Sequence, residues 1–275
     1  MAAVARTQFC AAIILHRSGS IAQSCYVTCS IPPRVYSSQP LPRPPAGEIT
    51  CDVNEEIARH FQVLRMGVDD PVTLFDGQGG EWSGVITCAS KRMASLRLLK
   101  FDPVERESPL KITLVQALAT SDKMDLIVQK AVELGISAIQ PVATERATLK
   151  LTGERAQKRV AHWQAIAQAA CEQCGRNRVP AVAEVIALEA WLAAPTKDNR
   201  LMLHPQAESS LVELSNITPH LVILVGPEGG FSERETALAG KCGVKSVRFG
   251  PRVLRTETAA LAALAAINAV YGDLR

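Results

Sequence analysis

Two loops of the sequence hold the residues best suited to bind and act on a ligand, and the first loop is rich in glycine. Its residues are Gly226, Pro227, Glu228, Gly229 and Gly230. Glycine lets the backbone approach a ligand closely, and proline stiffens the turn. Ser232 and Glu235, spaced as a capping box, predict that a helix begins directly afterwards. The pattern matches neither the dinucleotide-binding fingerprint nor the ATP-binding phosphate loop, so those functions lose support, and a tight turn without a ligand is the alternative interpretation.

The second loop places basic and acidic side chains directly before an alanine-rich helix. It runs through Phe249, Gly250, Pro251, Arg252, Val253, Leu254, Arg255, Thr256, Glu257 and Thr258. The helix that follows is apolar almost all round, which predicts burial in the core or in a subunit interface. Taken alone, the loop is also explained if Thr256 is the N-cap of this helix and if Arg255 and Glu257 are surface charges or partners of the helix dipole.

A pattern of alternating strands and helices positions both loops. After residue 110, short apolar strands are predicted at 112–116, 138–142, 201–203, 221–225 and 246–249. Helices are predicted between them, from residue 124, around 154–174, and at 232–241 and 258–271. This alternation is typical of an α/β domain whose mostly parallel sheet carries helices on both faces. Open sheets of this kind bind ligands beyond the carboxyl ends of their strands, which is where both loops lie.

The N-terminal part of the chain has a different pattern. A helix and three strands are predicted there, at 55–64, 72–75, 81–87 and 95–100. Together they indicate a small β domain that ends in a boundary at about 102–109. Residues 31–47 contain six prolines and are predicted to be extended and loop-like. Residues 1–30 are interpreted as a leader, which is a targeting presequence, a translated upstream stretch or an irregular tail.

The composition is that of a globular protein without a predicted metal site. Of the 275 residues, 47% are hydrophobic and 21% are charged, which excludes disorder as a description of the whole chain. The net charge of +3 is too small to indicate nucleic-acid binding, so any basic surface must be local.

Cys171 and Cys174 have no second pair of ligands nearby and are predicted to lie on a buried helix face. The dispersed cysteines indicate a reducing compartment and therefore a cytoplasmic location.

Together, the two loops resemble the cofactor loops of the RsmE family, the 16S ribosomal RNA uracil-N3 methyltransferases of the SPOUT class. Further segments match landmarks of that family in order along residues 31–275, and only the leader remains unmatched. These segments are Pro33-Arg34-Val35-Tyr36, Val63-Leu64-Arg65, Phe75-Asp76-Gly77, Lys123-Met124-Asp125, Gln129-Lys130, Glu133-Leu134-Gly135, Glu145-Arg146 and residues 170–180.

The resemblance implies a fold, a reaction and its partners. The implied fold is α/β, with a small PUA-like β-barrel at residues 31–105 that binds RNA, followed at 110–275 by a SPOUT domain whose parallel sheet is threaded into a trefoil knot. The implied reaction is methylation of N3 of a specific uridine in the 16S rRNA of the small ribosomal subunit, with S-adenosylmethionine as cofactor. The family also implies a homodimer with the site near the subunit interface.

The resemblance also implies the site residues. Those implied for cofactor binding are Leu203, His204, Gly226, Pro227, Glu228, Gly229, Gly230, Gly250, Leu254, Arg255 and Thr256. Loss of the N3 proton places negative charge on uracil O2 and O4, so the reaction needs a proton acceptor and a cation. Arg255 and Glu257 supply these two types and are the candidate catalytic residues. Glu228 is a second candidate base, or a residue that only ties down its own loop.

A local basic path is expected to contact the RNA, because phosphate contacts supply most of the affinity. Its predicted members are Arg34, Arg65, Lys123, Lys130, Arg146, Lys150, Arg176 and Arg178. Each of them is alternatively a solvated charge, and Lys130 is alternatively the helix-surface partner of Glu133.

Two other functions stay open. One is a non-catalytic RNA-binding ribosome assembly factor, which would not need both loops intact. The other is a related SPOUT RNA methyltransferase that acts on another RNA, which the N-terminal β domain disfavours.

Overall fold

The structure of the protein, a computed structural model, describes residues 32–44, 49–90, 92–211 and 218–274. The predicted leader at 1–30 lies outside these residues. The described residues form two sheets, one for each of the two patterns in the sequence. None of the helices in these ranges is long and apolar enough to cross a membrane.

The N-terminal sheet has five strands in the spatial order β1-β3-β4-β5-β2. They are β1 (Arg34–Tyr36), β2 (Ile49–Val53), β3 (Pro71–Phe75), β4 (Glu81–Ala89) and β5 (Ala94–Asp102). β1 runs parallel to β3, and the other neighbours are antiparallel. Helix α1 (Glu55–Val63) begins after Asn54, whose side chain accepts a hydrogen bond from the Ile57 N–H. Ile57 and Phe61 of this helix are buried in the core of the sheet.

The C-terminal sheet has seven strands, and its pairings within the described residues are all parallel. The strands are β6 (Lys111–Ala117), β7 (Ala138–Ala143), β8 (Ala181–Val182), β9 (Ile186–Ala187), β10 (Asn199–Leu203), β11 (His220–Val225) and β12 (Lys245–Val247). The helices are α2 (Ser121–Glu133), α3 (Gly153–Cys174), α4 (Leu188–Ala193), α5 (Glu233–Lys241) and α6 (Thr256–Tyr271). The spatial order is β12-β10-β11-β6-β7-β8, and β9 also pairs with β7. The predicted α/β class with a parallel sheet is confirmed.

Helices cover both faces of this sheet, as the alternation along β11 shows. Leu221 and Ile223 pack into the core that α2, α3 and α6 cover, whereas Val222 and Leu224 pack on the opposite face with α4 and α5. Successive residues of a strand point to opposite faces, so a strand buried on both sides must be apolar throughout. This requirement accounts for the uninterrupted apolar run that precedes the glycine-rich loop.

A network of ion pairs and hydrogen bonds joins the two sheets. Glu81 of β4 accepts hydrogen bonds from Arg34 and, at 2.9 Å, from Arg106, which also donates to the Gly175 carbonyl at 3.0 Å. Arg34 donates to Asn177 Oδ1 at 2.6 Å. Burial opposes ionisation of Glu81, but the hydrogen bonds from Arg106 and Arg34 outweigh it and lower its pKa below the ordinary value. An ionised carboxylate therefore lies at the centre of the junction.

Several short elements were not predicted from the sequence pattern, namely β1, β2, β8, β9 and α4. The prediction that 31–47 is loop-like is wrong at β1. Residues 34–39 contain no proline, and at the two ends of this segment the Thr73 N–H donates to the Pro33 carbonyl at 2.9 Å and the Ser37 N–H donates to the Phe75 carbonyl at 2.8 Å. The other elements have two to six residues, too few for a periodic pattern, and their neighbours in the fold stabilise them.

Cys171 and Cys174 lie on α3, and Cys171 is fully buried as predicted. Burial raises the pKa of the Cys171 thiol to about 12 and also raises that of the half-buried Cys174. Cys171 belongs to the core, and Cys174 packs against it, so both side chains contribute to the packing of α3.

Candidate active site

A cavity of about 640 Å³ lies at the carboxyl ends of β10, β11 and β12. These strands are parallel neighbours, so the segments that follow them emerge at one edge of the sheet. The walls are formed by the segments that begin at Leu203, Gly226 and Phe249, together with the start of α6. The volume is typical of small-molecule sites.

Every residue that the sequence analysis assigned to cofactor binding lines this cavity. They are Leu203, His204, Gly226, Pro227, Glu228, Gly229, Gly230, Gly250, Leu254, Arg255 and Thr256. Lys123 and Arg146, which were predicted to contact RNA, line it as well. The parallel sheet thus brings together residues that are far apart in the sequence.

A buried chain of hydrogen bonds holds the start of α6 against the glycine-rich loop. The Thr256 hydroxyl donates to the Gly226 carbonyl at 2.6 Å and accepts from Gln116 Nε2 at 3.0 Å. Arg255, and not Thr256, is the N-cap residue of α6, so the alternative interpretation of Thr256 is wrong. Gln116 is fully buried at the end of β6, and the sequence analysis missed it. The available signal was an amide side chain in an otherwise apolar strand, since buried polar groups need partners.

Arg146, which lies outside the glycine-rich loop, holds the loop in place through hydrogen bonds. Arg146 donates to the carbonyls of Gly229 and Phe231 at 3.2 and 3.3 Å. A Cβ at Gly229 would lie 3.2 Å from the Arg146 Cβ, and Gly230 adopts the left-handed φ of +67°. Both positions therefore favour glycine. The predicted capping box is confirmed, because Ser232 and Glu235 exchange both of its hydrogen bonds.

Three charged groups from separate elements meet next to the cavity. Lys123 and Glu228 line it, whereas Glu257 is not among its lining residues. Lys123 Nζ donates to Glu228 Oε1 at 3.1 Å and lies 3.7 Å from Glu257 Oε2. The Thr120 N–H also donates to Glu228 Oε1 at 3.1 Å. Burial opposes ionisation of Glu228, but hydrogen bonds from its own backbone, from Thr120 and from Lys123 outweigh this effect and lower its pKa. Glu228 is thus held as a carboxylate.

Arg255 lies at the rim of the cavity with an exposed side chain. No described residue forms a hydrogen bond or an ion pair with its guanidinium. Lys123, Glu228 and Glu257 are paired with one another, whereas the Arg255 guanidinium can interact with a substrate.

Two of the residues predicted to contact RNA are largely buried and paired within the protein, which argues against phosphate contacts for them. Arg176 is 5% exposed, donates to the Val132 and Ile136 carbonyls at 2.9 Å and pairs with Glu107. The Arg34 side chain is 10% exposed and belongs to the junction between the sheets. Both guanidiniums are used within the protein.

The other predicted RNA contacts differ in how far they are exposed. Exposed residues are Arg65, Arg146, Lys150 and Arg178. Arg178 pairs with Glu105 at 2.7 Å, and Lys130 pairs with Glu133 at 2.7 Å, as its alternative interpretation required. Lys123 faces the cavity and two carboxylates.

Comparisons with known proteins agree with this geometry. The RNA methyltransferase domain family matches residues 106–268, and the RNA methyltransferase PUA domain family matches residues 53–99. Ribosomal RNA small subunit methyltransferase E of Buchnera aphidicola is 30% identical over 79% of this chain and 87% of its own length.

Two solved structures are similar over most of the chain. The ribosomal RNA small subunit methyltransferase E of Neisseria gonorrhoeae, bound to S-adenosyl methionine, is 41% identical, with a TM-score of 0.84 over 89% of this chain and 100% of its own. A Legionella pneumophila methyltransferase in complex with the same cofactor is 35% identical, with a TM-score of 0.83 over 89% and 100% of the two chains. With its parallel sheet, its N-terminal PUA domain and the cavity at the strand ends, the chain belongs to the ribosomal RNA small subunit methyltransferase E family.

Proposed function

We propose that this protein transfers a methyl group from S-adenosylmethionine to N3 of a uridine in the 16S rRNA of the small ribosomal subunit. The observation that carries the proposal is the cavity, which all residues implied for the cofactor line. The Arg255 guanidinium at its rim has no partner among the described residues, and the Glu257 carboxylate lies next to the cavity, with Oε2 3.7 Å from Lys123 Nζ. The relatives described above support the cofactor, since two of them were solved with it.

The cavity suits this cofactor in shape and chemistry. Leu203, Val225 and Leu254 supply apolar wall for a flat base, and the glycine-rich loop supplies backbone polar groups. A Cβ at Gly230 or Gly250 would meet no atom within 4 Å, so these positions border open space in which a ligand fits. We assign cofactor binding to the eleven lining residues that the sequence analysis named.

Arg255 at the rim and Glu257 next to the cavity supply the groups that N3 chemistry needs. When bound, S-adenosylmethionine supplies a methyl group on a positively charged sulfur, and the sulfur keeps the electron pair of the broken C–S bond and becomes a neutral thioether. Glu257 accepts the N3 proton, and the N3 electron pair then forms the new bond to carbon. Arg255 stabilises the negative charge that develops on O2 and O4. Glu228, whose pKa is lowered by its hydrogen bonds, ties its loop to Thr120 and Lys123.

We also propose the organisation around this site. Residues 31–105 form a PUA-like barrel that binds RNA through Arg65 and its neighbours, and residues 110–275 form the knotted SPOUT domain. The matches at 53–99 and 106–268 support this division. The enzyme works in the cytoplasm and forms a homodimer. The partly exposed apolar residues Leu261 and Ala265 of α6 support the homodimer.

The decisive experiment is nucleoside mass spectrometry of 16S rRNA from a strain that lacks the gene. We expect 3-methyluridine to be lost from one site and to return with the wild-type gene, but not with Gly229→Val, in which a branched side chain collides with Arg146 and displaces the loop. Unchanged 3-methyluridine would refute the proposal. Calorimetric cofactor binding without any methyl transfer to small subunits would favour the non-catalytic assembly factor.

A further inference from the structure

Lys123 lies in the first turn of α2, where the helix dipole disfavours a positive charge. It is the third residue of α2, within the turn whose free N–H groups carry partial positive charge. Its side chain is only 28% exposed and lines the cavity. Negative charge nearby offsets this unfavourable position.

Two carboxylates from other segments provide that charge. Glu228 comes from the loop after β11 and Glu257 from the first turn of α6. Lys123 donates to the first at 3.1 Å and lies 3.7 Å from the second. One lysine on a third element therefore connects both loops of the cavity.

Glu257 depends on this lysine more than Glu228 does. Glu228 also accepts a hydrogen bond from the Thr120 N–H. By contrast, the buried Oε2 of Glu257 has no hydrogen-bond partner among the described residues, and Lys123 is the one cation of those residues within ion-pair distance. Among the described residues, Lys123 is thus the cation that the Glu257 carboxylate faces.

We infer that Lys123 is a positioning residue for methyl transfer, which holds Glu257 next to the cavity while Glu228 anchors the lysine. The inference rests on the proposed function, in which Glu257 takes the N3 proton. One lysine shared by two carboxylates leaves one negative charge in excess. Glu257 can therefore take up one proton while Lys123 keeps its bond to Glu228. This role replaces the RNA contact predicted for Lys123.

A double-mutant cycle of Lys123→Met and Glu257→Gln tests the inference. The measurement is single-turnover methylation of small ribosomal subunits at saturating cofactor and RNA. We expect Lys123→Met to slow transfer by about 10- to 100-fold, with dissociation constants for cofactor and RNA changed less than about threefold. Lys123→Arg should keep most of the rate because it keeps the charge. The double variant should be no slower than Glu257→Gln alone, since the lysine then has nothing to position.

Controls separate a folding defect from a positioning defect. Lys241→Met removes an exposed lysine in the last turn of α5, outside the cavity, and should leave the rate unchanged. Thermal unfolding and calorimetric cofactor binding check that each variant is folded. If Lys123→Met does not fold, Glu228→Gln removes the anchor of Lys123 and should slow transfer in the same way.

Three results would overturn the inference. A full rate at saturating RNA combined with weaker, less salt-dependent RNA binding would make Lys123 a phosphate contact. Additive losses in the double variant would show that the two residues act independently. A wild-type protein that methylates no small-subunit RNA would refute both the proposed function and this inference. If the wild type is active but the effects of Lys123→Met and Glu257→Gln are additive, only the inference is rejected.

Discussion

At the scale of single residues, the cavity distinguishes side chains that hold the protein together from one that is left for a substrate. The buried Thr256 hydroxyl both donates and accepts a hydrogen bond. Hydrogen bonds from Thr120 and Lys123 keep Glu228 ionised. The Arg255 guanidinium, in contrast, is exposed at the rim with no partner among the described residues. A cation in that position is available for the charge that forms during the reaction.

Replacing Arg255 with alanine is expected to affect the chemical step rather than cofactor binding. Arg255→Ala should lower single-turnover methylation by roughly 10²- to 10³-fold, because the charge on O2 and O4 loses its counterion, while calorimetric cofactor affinity changes far less. Arg234→Ala, which removes an exposed arginine of α5, serves as the control. Equal losses of binding and turnover would instead make Arg255 a support for its loop.

The two arginines that the sequence analysis grouped as RNA contacts should now behave differently. Arg65→Ala should flatten the dependence of log K on log salt by about 0.7 to 0.9, because one phosphate contact is lost. Arg34→Ala should leave this slope unchanged and lower stability, since its guanidinium belongs to the junction. Filter binding of the variants across a salt series measures both slopes. A reduced slope in folded Arg34→Ala would return that residue to the interface.

At the scale of elements, the ends of β10, β11 and β12 create the cavity, and buried polar contacts place α6 and the N-terminal sheet relative to them. Apolar packing alone is tolerant of small shifts, whereas a buried hydrogen bond requires a particular geometry. Gln116 and Glu81 are thus the residues that specify how these elements meet.

The hydrogen-bond chain through Thr256 should contribute to both stability and cofactor binding. Thr256→Val keeps the shape but removes the hydroxyl, which leaves the Gly226 carbonyl without that donor. We expect the free energy of unfolding to fall by about 1 to 3 kcal/mol and cofactor affinity to decrease. Urea unfolding and calorimetry measure the two effects, and Thr256→Ser should restore both. A Thr256→Val protein as stable as the wild type would show that the chain is dispensable.

The junction between the sheets should depend on pH through Glu81. Glu81→Gln leaves the buried Arg34 without its counterion and should cost about 3 kcal/mol at pH 7. The folded pKa of Glu81 is lowered, so its contribution is present above the ordinary value of 4.5 and is lost as the pH falls through the folded pKa. Denaturant unfolding at several pH values should therefore show wild type and variant converging in acid. Glu184→Gln, an exposed change, is the control, and a constant difference at all pH values would contradict the role of Glu81.

At the scale of the whole molecule, α6 has one buried face and one apolar face that the other described residues cover incompletely. Ala263 and Ile267 are buried in the core, whereas Leu261, Ala262 and Ala265 are only half buried. A helix that is apolar all round calls for cover on both sides, which a second copy of the chain would supply.

The proposed homodimer makes this face a target for mutation. Ala265→Glu places a charge at the centre of the half-buried stripe and should convert the dimer to a monomer in sedimentation velocity. Ala193→Glu, at the exposed end of α4, should remain dimeric. A monomeric wild-type protein at micromolar concentration would refute the proposed dimer.

The sequence by itself determined the class of the two halves, the position of the cavity loops and the capping box of α5. These features depend on signals within a few neighbouring residues: apolar runs, glycine and proline turns, and a serine three residues before a glutamate. The family resemblance also rested on such local motifs.

Only the tertiary structure decided which charges are buried and which are free. The sequence alone does not distinguish Arg34 from Arg65. In the fold, Arg34 contacts Glu81, which lies 47 residues away in the sequence, and so belongs to the junction between the sheets. Lys123 likewise faces carboxylates more than 100 positions away, so it could not be separated from the surface lysines. The state of a charged side chain depends on its partners and its burial, and both are set by the chain as a whole.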